Sequence, residues 1–190
     1  MIEAIKKRVG EKLSDHQKRL THVFGVYETA VKLAKIHNVD IEKVSIAALF
    51  HDFAKYDSIE DQVAHMDLKT IKNYAEYPVI YHAMAAAIQL EHEFHVRDQE
   101  ILNGIRYHVW GRPSMSDLEK IVFISDSCEP NRNFSDSEMI YEMATKNLNQ
   151  ATEYCMKISI DHVIAKGLVP SPEQMESYQY YKEVNRGEIK

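Results

Sequence analysis

Cysteine is almost missing from this chain. Cys128 and Cys155 are its only two, far apart and in no C-x-x-C pair. This argues against a disulfide framework and against a cysteine-rich zinc site, and makes a reducing cytoplasm the expected location. Glycine and proline are scarce as well, 6 and 5 of 190 residues, too few for a loop-rich all-β fold with many tight turns. No apolar run approaches the roughly 18 residues of a membrane span, so no membrane partner is expected. The start, Met1 to Arg8, is charged and periodic, unlike a signal peptide. A basic excess is also lacking: 23 Lys and Arg stand against 29 Asp and Glu, a net charge of −6. Without basic stripes, no DNA or RNA partner is expected. A small phosphorylated substrate stays open, because a metal ion and a few local cations suffice to hold one.

What remains is an ordinary globular composition, 45% hydrophobic and 27% charged, with the length of one domain. Helix punctuation recurs along it. Ser14 is placed to cap a helix to about His37, with Leu20, Phe24, Tyr27, Val31 and Ala34 on its inner face. Asp40 opens the next, with Ile41, Val44, Ala48 and Leu49 inward. Ser58 with Asp61 resembles a capping box. Pro78 suits the first turn of a helix reaching Phe94, and Asp98 caps another that ends before Gly111 and Pro113. Ser116 with Glu119 forms a capping box, Ser135 with Glu138 repeats it, and Ser171-Pro172 followed by Gln174 starts a last helix. Ile121 to Ile124 reads as a buried helix because the capping box precedes it. The reading is one all-α domain over 1–190, a bundle of about eight or nine helices. Its motif core spans 14–135, and C-terminal helices over 136–190 pack on it. The aromatic stretch Ser177 to Tyr181 reads as a helix docked on the core, with a dimer contact or part of a nucleotide pocket as alternatives.

Histidine is the one abundance: there are ten. His16, His37, His65, His92, His95 and His162 lie in polar neighbourhoods or at helix ends and read as surface residues. The other four differ. His51-Asp52 ends the apolar stretch Val44 to Phe50, where an unpaired imidazole or carboxylate is costly. His22 lies on a mostly apolar helix, His82 stands beside an alanine-rich surface, and His108 ends the helix that carries Ile101, Leu102 and Ile105. Asp126 closes the apolar run Ile121 to Ile124. Each alone reads as a hydrogen-bonded core group. Together they are four imidazoles and two carboxylates at core-facing helical positions. Such nitrogen and oxygen ligation suits divalent Fe, Mn, Co or Zn. The two oxygens of Asp52 offer a bridge between two ions, and paired ions roughly 3.5–4 Å apart are the usual arrangement for phosphoester cleavage.

The order His22, His51-Asp52, Asp126 resembles the HD superfamily of metal-dependent phosphohydrolases. Further segments narrow the resemblance: His51-Asp52-Phe53-Ala54-Lys55, His82 before an alanine-rich helix, His108 with Gly111-Arg112-Pro113, Met115-Ser116 through Val122, and Asp126 followed by Glu129-Pro130-Asn131-Arg132. These are similar to the bacterial HD-type symmetrical bis(5′-nucleosyl)-tetraphosphatases, the YqeK family, over about residues 14 to 185. Two departures stand out. Val109 and Trp110 follow His108 where the family usually has threonine or small residues, and Asn131 takes the place of a glycine, as a residue that tolerates the left-handed conformation.

The resemblance implies an all-helical HD fold with a centre of two divalent ions, iron foremost and Mn or Co as alternatives. His22, His51, Asp52 and Asp126 would hold one ion, and Asp52 would bridge to a second held by His82 and His108. The implied reaction is symmetrical cleavage of diadenosine tetraphosphate to two ADP, by attack of a metal-activated hydroxide on a central phosphorus. Asp52, Lys55 and Arg132 are the expected catalytic residues. Lys55, Arg112, Arg132 and Trp110 are the expected substrate contacts, the last by stacking on adenine or, alternatively, as a packed aromatic near Pro113. The partner expected is a small dinucleoside polyphosphate, with a homodimer as a further expectation. Two rival readings remain: another HD-type nucleotide hydrolase (a 5′-nucleotidase or cyclic-nucleotide phosphodiesterase), and a non-catalytic alarmone-binding domain.

Overall fold

The structure, a computed structural model, describes residues 1–132 and 135–189. Its elements are helical throughout: α1 (Ile2–Lys12), α2 (Gln17–His37), α3 (Ile41–Phe50), α4 (Ile59–Val63), α5 (Leu68–Asn73), a 3₁₀ turn (Pro78–Ile80), α6 (Tyr81–Phe94), α7 (Gln99–Arg106), α8 (Asp117–Cys128), α9 (Ser137–Lys146), α10 (Leu148–Ala165) and α11 (Pro172–Arg186). That makes eleven α-helices among the described residues, more than the eight or nine expected. The helices for which no start is expected are α1, α5 and α10, while Ser58 caps α4 as expected.

The caps explain most boundaries. Asp40, Asp98 and Ser171 each accept a backbone N–H of the first turn, and Ser116 with Glu119 makes both bonds of a capping box. Two expected caps fail. The second helix starts at Gln17 after His16 with no side-chain cap, so Ser14 lies outside it. Asp136 rather than Ser135 precedes α9, and its side chain caps nothing because it is bonded to Ser135 and to Tyr154.

At the centre is α3. Seven consecutive residues, Val44 to Phe50, are buried, so the helix is enclosed on all sides rather than amphipathic. Burying Leu49 or Phe50 contributes roughly 1.5–3 kcal/mol each. Around it pack α1, α2, α7 and α8, and α8 also meets α9 and α10. The inner stripe of α2 differs from expectation. His22, Val23, Gly25, Val26, Thr29, Ala30 and Leu33 are buried, while Leu20, Phe24, Tyr27 and Val31 flank them half-buried. The stripe is turned because α2 is wedged between α3 and α8. One contiguous apolar cluster runs from Ile5 in α1 to Tyr181 in α11, and Tyr181 accepts the backbone N–H of Met115 at 3.0 Å. Among the described residues, no helix is long and apolar enough to cross a membrane.

Candidate metal centre

Five helices deliver the six predicted donors. His22 comes from the second turn of α2, and His51-Asp52 from the tight turns just after α3, where the backbone bonds run from residue i+3 to residue i. His82 comes from the first turn of α6, His108 from the loop after α7, and Asp126 from the last turn of α8. All four imidazoles and Asp52 are buried, and Asp126 is partly so.

The donors fall into two sets around Asp52. On one side, Asp52 Oδ2 lies 3.5 Å from His51 Nε2 and 3.8 Å from His22 Nε2. Asp126 Oδ1 closes that side, 2.9 Å from His22 Nε2 and 3.7 Å from His51 Nε2. On the other side, Asp52 Oδ1 lies 3.1 Å from His82 Nε2 and 3.6 Å from His108 Nε2. His22, His51 and Asp52 bring one donor atom each within 4.8 Å of one another, and so do Asp52, His82 and His108.

The ring tautomers follow from the outward bonds. His51 Nδ1 donates to the Ala48 carbonyl and His108 Nδ1 to that of Ile105, each at 2.7 Å. His22 Nδ1 lies 3.0 Å from Glu129 Oε1. A neutral imidazole that donates outward through Nδ1 turns the lone pair of Nε2 inward, which is the usual support of a metal-binding histidine. Among the described residues, His22 Nε2, His51 Nε2 and Asp52 Oδ1 are buried without a hydrogen-bond partner. They stand near oppositely charged neighbours but out of bonding alignment, as atoms do when they converge on a common point. Buried polar atoms without partners are costly, and a cation among them would remove that cost. No thiolate competes: burial pushes the Cys155 thiol up to about 12 and the Cys128 thiol higher still. The residues therefore fit a divalent ion held by nitrogen and oxygen.

Charge in the centre is strongly coupled. Burial alone would raise the Asp52 carboxyl, but His51, His108 and His82 outweigh it and hold it well below the usual carboxylate range. Burial likewise works against Asp126, and Arg132, His22 and His51 outweigh it. Burial pulls His51 down, but Asp52 and Asp126 raise it to about 9. His82 is lowered to about 4, chiefly by burial, with His108 and Lys55 adding to it against the pull of Asp52.

Three cations rim the donors. Lys55 Nζ is 3.2 Å from His82 Nε2 and 3.8 Å from Asp52 Oδ1. Arg132 Nη2 is 2.6 Å from Asp126 Oδ1. The third is Arg19, whose Nη1 is 2.6 Å from Asp52 Oδ2. The sequence reading missed it, although Arg19 stands three residues before His22 on the same helix face, a spacing that brings two side chains together. Arg112 is not part of this rim contact. It makes a two-pronged ion pair with buried Glu119 and donates to the Pro113 carbonyl. Trp110 packs with Ile80 and Tyr81 and meets Tyr77 edge-on at 5.7 Å.

The loop from Tyr107 to Gly111 separates two clefts. One, of about 310 Å³, is lined by Trp110, Tyr107, Tyr74, His65 and Glu173. The other, of about 280 Å³, is lined by His108, Val109, Asp126, Arg132, Ser159 and His162. Two of the six surface histidines thus face clefts. The remainder are placed as follows: His16 stacks on Tyr56, His37 meets the Ala144 carbonyl at 2.7 Å, and His92 and His95 are exposed. Asn131 does not take the left-handed conformation, which among the described non-glycine residues falls to Asn38, His95 and Ser114. Its amide instead donates to Glu129.

Comparison with known proteins gives the same answer from outside. Residues 19–131, more than half of the chain, match the model of the HD domain family. The symmetrical bis(5′-nucleosyl)-tetraphosphatase of Bacillus subtilis (strain 168) is 33% identical over 174 residues, covering 90% of this chain and 92% of the relative. That of Halalkalibacterium halodurans is 34% identical over 173 residues, covering 87% and 89%. A crystal structure from Clostridium acetobutylicum, of a protein described as a predicted HD superfamily hydrolase involved in NAD metabolism, superposes with a TM-score of 0.86. It is 31% identical and covers 98% of each chain.

Proposed function

The chain belongs to the HD domain family, and within it to the symmetrical bis(5′-nucleosyl)-tetraphosphatases; from that premise we propose that it hydrolyses diadenosine tetraphosphate to two ADP. The observation that carries the reading is the division of Asp52. One of its oxygens faces His22 and His51, with Asp126 beside them, and the other faces His82 and His108. A mononuclear HD hydrolase needs only the first set; the second favours a centre of two ions. His22, His51, Asp52 and Asp126 would hold one, and Asp52, His82 and His108 the other, with iron as the resident metal and Mn or Co as substitutes.

Bound divalent ions supply Lewis acidity, polarising phosphoryl oxygens and lowering the pKa of a water in contact with them toward neutrality. The rest is the work of the chain. Arg19, Lys55 and Arg132 each lean on a ligand carboxylate and have charge left for phosphate oxygens; the two guanidinium forks match them in pairs, and Lys55 acts as a point charge. These cations let an acidic protein hold a polyphosphate without a basic surface. The cleft beside Asp126 and Arg132 opens directly on the donors, and the one beside Trp110 lies across the Tyr107–Gly111 loop. In this reading the two clefts take the two nucleoside ends, which places the middle of the tetraphosphate at the donors. Product analysis tests it: chromatography of the metal-reconstituted reaction should yield ADP alone. AMP with ATP, or free phosphate, would refute it.

A further inference from the structure

Glu129 is a fully buried carboxylate outside the donor set. It follows α8 at the C-cap, and both of its oxygens are engaged. Oε1 lies 3.0 Å from His22 Nδ1. Oε2 accepts the backbone N–H of Asn131 at 2.7 Å and its side-chain amide at 2.9 Å. The seat for this carboxylate is cut into α2. Gly25 lies three residues beyond His22, and a Cβ there would collide with Glu129 Oε2 and come within 2.8 Å of Asn131 Nδ2.

We propose that Glu129 is the positioning residue of His22: it holds the ring in the Nδ1–H tautomer and so leaves the Nε2 lone pair for an ion shared with Asp52 and Asp126, while Gly25 and Asn131 hold Glu129 in place. Both ring nitrogens face carboxylate oxygens, Nδ1 that of Glu129 at 3.0 Å and Nε2 that of Asp126 at 2.9 Å; with a cation on the Nε2 side, the single proton of the neutral ring would be left to Nδ1, where Glu129 accepts it. Asn131 saturates Oε2 with two donors and leaves Oε1 to His22. His51 and His108 obtain the same orientation from backbone carbonyls. His22 alone of these three relies on a side-chain carboxylate. The proposal rests on His22 being a metal ligand.

Glu129→Gln is nearly isosteric and tests it. The two Asn131 donors demand the amide oxygen, which turns the NH₂ toward His22 Nδ1. The proton is then driven onto Nε2, the ligating atom. Affinity for Mn²⁺, measured by chelator competition, should fall about 10- to 100-fold, and ¹⁵N spectra of the proteins loaded with diamagnetic Zn²⁺ should show the His22 proton on Nδ1 in the wild type and lost from it in Glu129→Gln. Gly25→Ala, which keeps the carboxylate but denies it room, should lower the affinity likewise. Wild-type tautomer and affinity in Glu129→Gln would overturn the proposal. So would a His22 proton on Nε2 in the Zn²⁺-loaded wild type, a measurement that needs no variant. His22→Ala separates the two levels. If it keeps wild-type affinity, the ligand reading falls and the positioning role with it. If it loses affinity while Glu129→Gln does not, the positioning role alone falls.

Discussion

His82 and His108 bring their Nε2 atoms to 3.2 Å of each other. His108 donates its Nδ1 proton to the Ile105 carbonyl, which turns its Nε2 toward His82. His82 stays neutral at pH 7, being lowered to about 4 by burial and by its cationic neighbours. Two imidazoles whose Nε2 atoms converge on one carboxylate oxygen, Asp52 Oδ1, form half of a coordination shell. His82→Ala and His108→Ala should each remove about one of two ions per chain and leave the other. Elemental analysis of the reconstituted variants checks this; an unchanged metal content would contradict it.

The raised value of His51 predicts how metal binding depends on pH. In the metal-free chain this ring is protonated at pH 7, since its value is about 9. The ion has to displace that proton, so affinity should climb about tenfold per pH unit and level off near 9. Asp52, held low, and His82, already neutral, release none. Calorimetry in buffers of different ionisation heat should therefore find about one proton released at the His51 set near pH 7. The sign for stability is opposite. A group raised from 6.5 to about 9 stabilises the metal-free fold fully below 6.5, and that contribution is lost as the pH rises through 9.

Arg19 and Arg112 should part company on substitution. Arg19 is at the centre, 2.6 Å from Asp52, so Arg19→Ala should lower kcat/KM by about 10- to 100-fold with little change in melting. Arg112 serves Glu119, which is buried and also caps α8. Arg112→Ala should leave kcat/KM nearly unchanged but lower stability by about 1–3 kcal/mol, because a buried carboxylate loses its partner. Steady-state kinetics beside thermal denaturation separates the two.

Tyr74 donates to both oxygens of Glu173, at 2.8 and 2.9 Å, and both residues line the Trp110 cleft. The neighbouring α5 buries none of its residues, and besides this contact the Tyr81 hydroxyl holds it by donating to the Ile71 carbonyl at 2.7 Å. Tyr74→Phe should speed amide exchange in α5 while leaving α3 and α8 protected, as local opening of a weakly held segment does. Exchange mass spectrometry resolves the two regions.

How much was legible depends on how local the signal is. Ser116 with Glu119, and Asp40 and Asp98, fixed helix starts because a cap is written in adjacent residues. His51-Asp52 stood out because a polar pair after seven apolar residues has few inexpensive fates. What escaped were roles that only packing decides. Leu20 and Phe24 looked inward, yet His22, Val26 and Leu33 are more deeply buried, since α2 has neighbours on two sides. Glu119 is legible as a cap, but its ion pair with Arg112 is not, because that pairing is set by how the Gly111–Pro113 loop folds back on α8. Glu129 was visible in its motif, while its contact with His22 spans a separation no local pattern reports.

The central claim is that Asp52 joins two metal sets into one hydrolytic centre. Metal content per folded chain, measured side by side for the reconstituted wild type and Asp52→Ala, tests it most directly. The account predicts about two ions in the wild type and a loss from both sets in the variant, with turnover of diadenosine tetraphosphate abolished. A variant that keeps full metal and full turnover would contradict it.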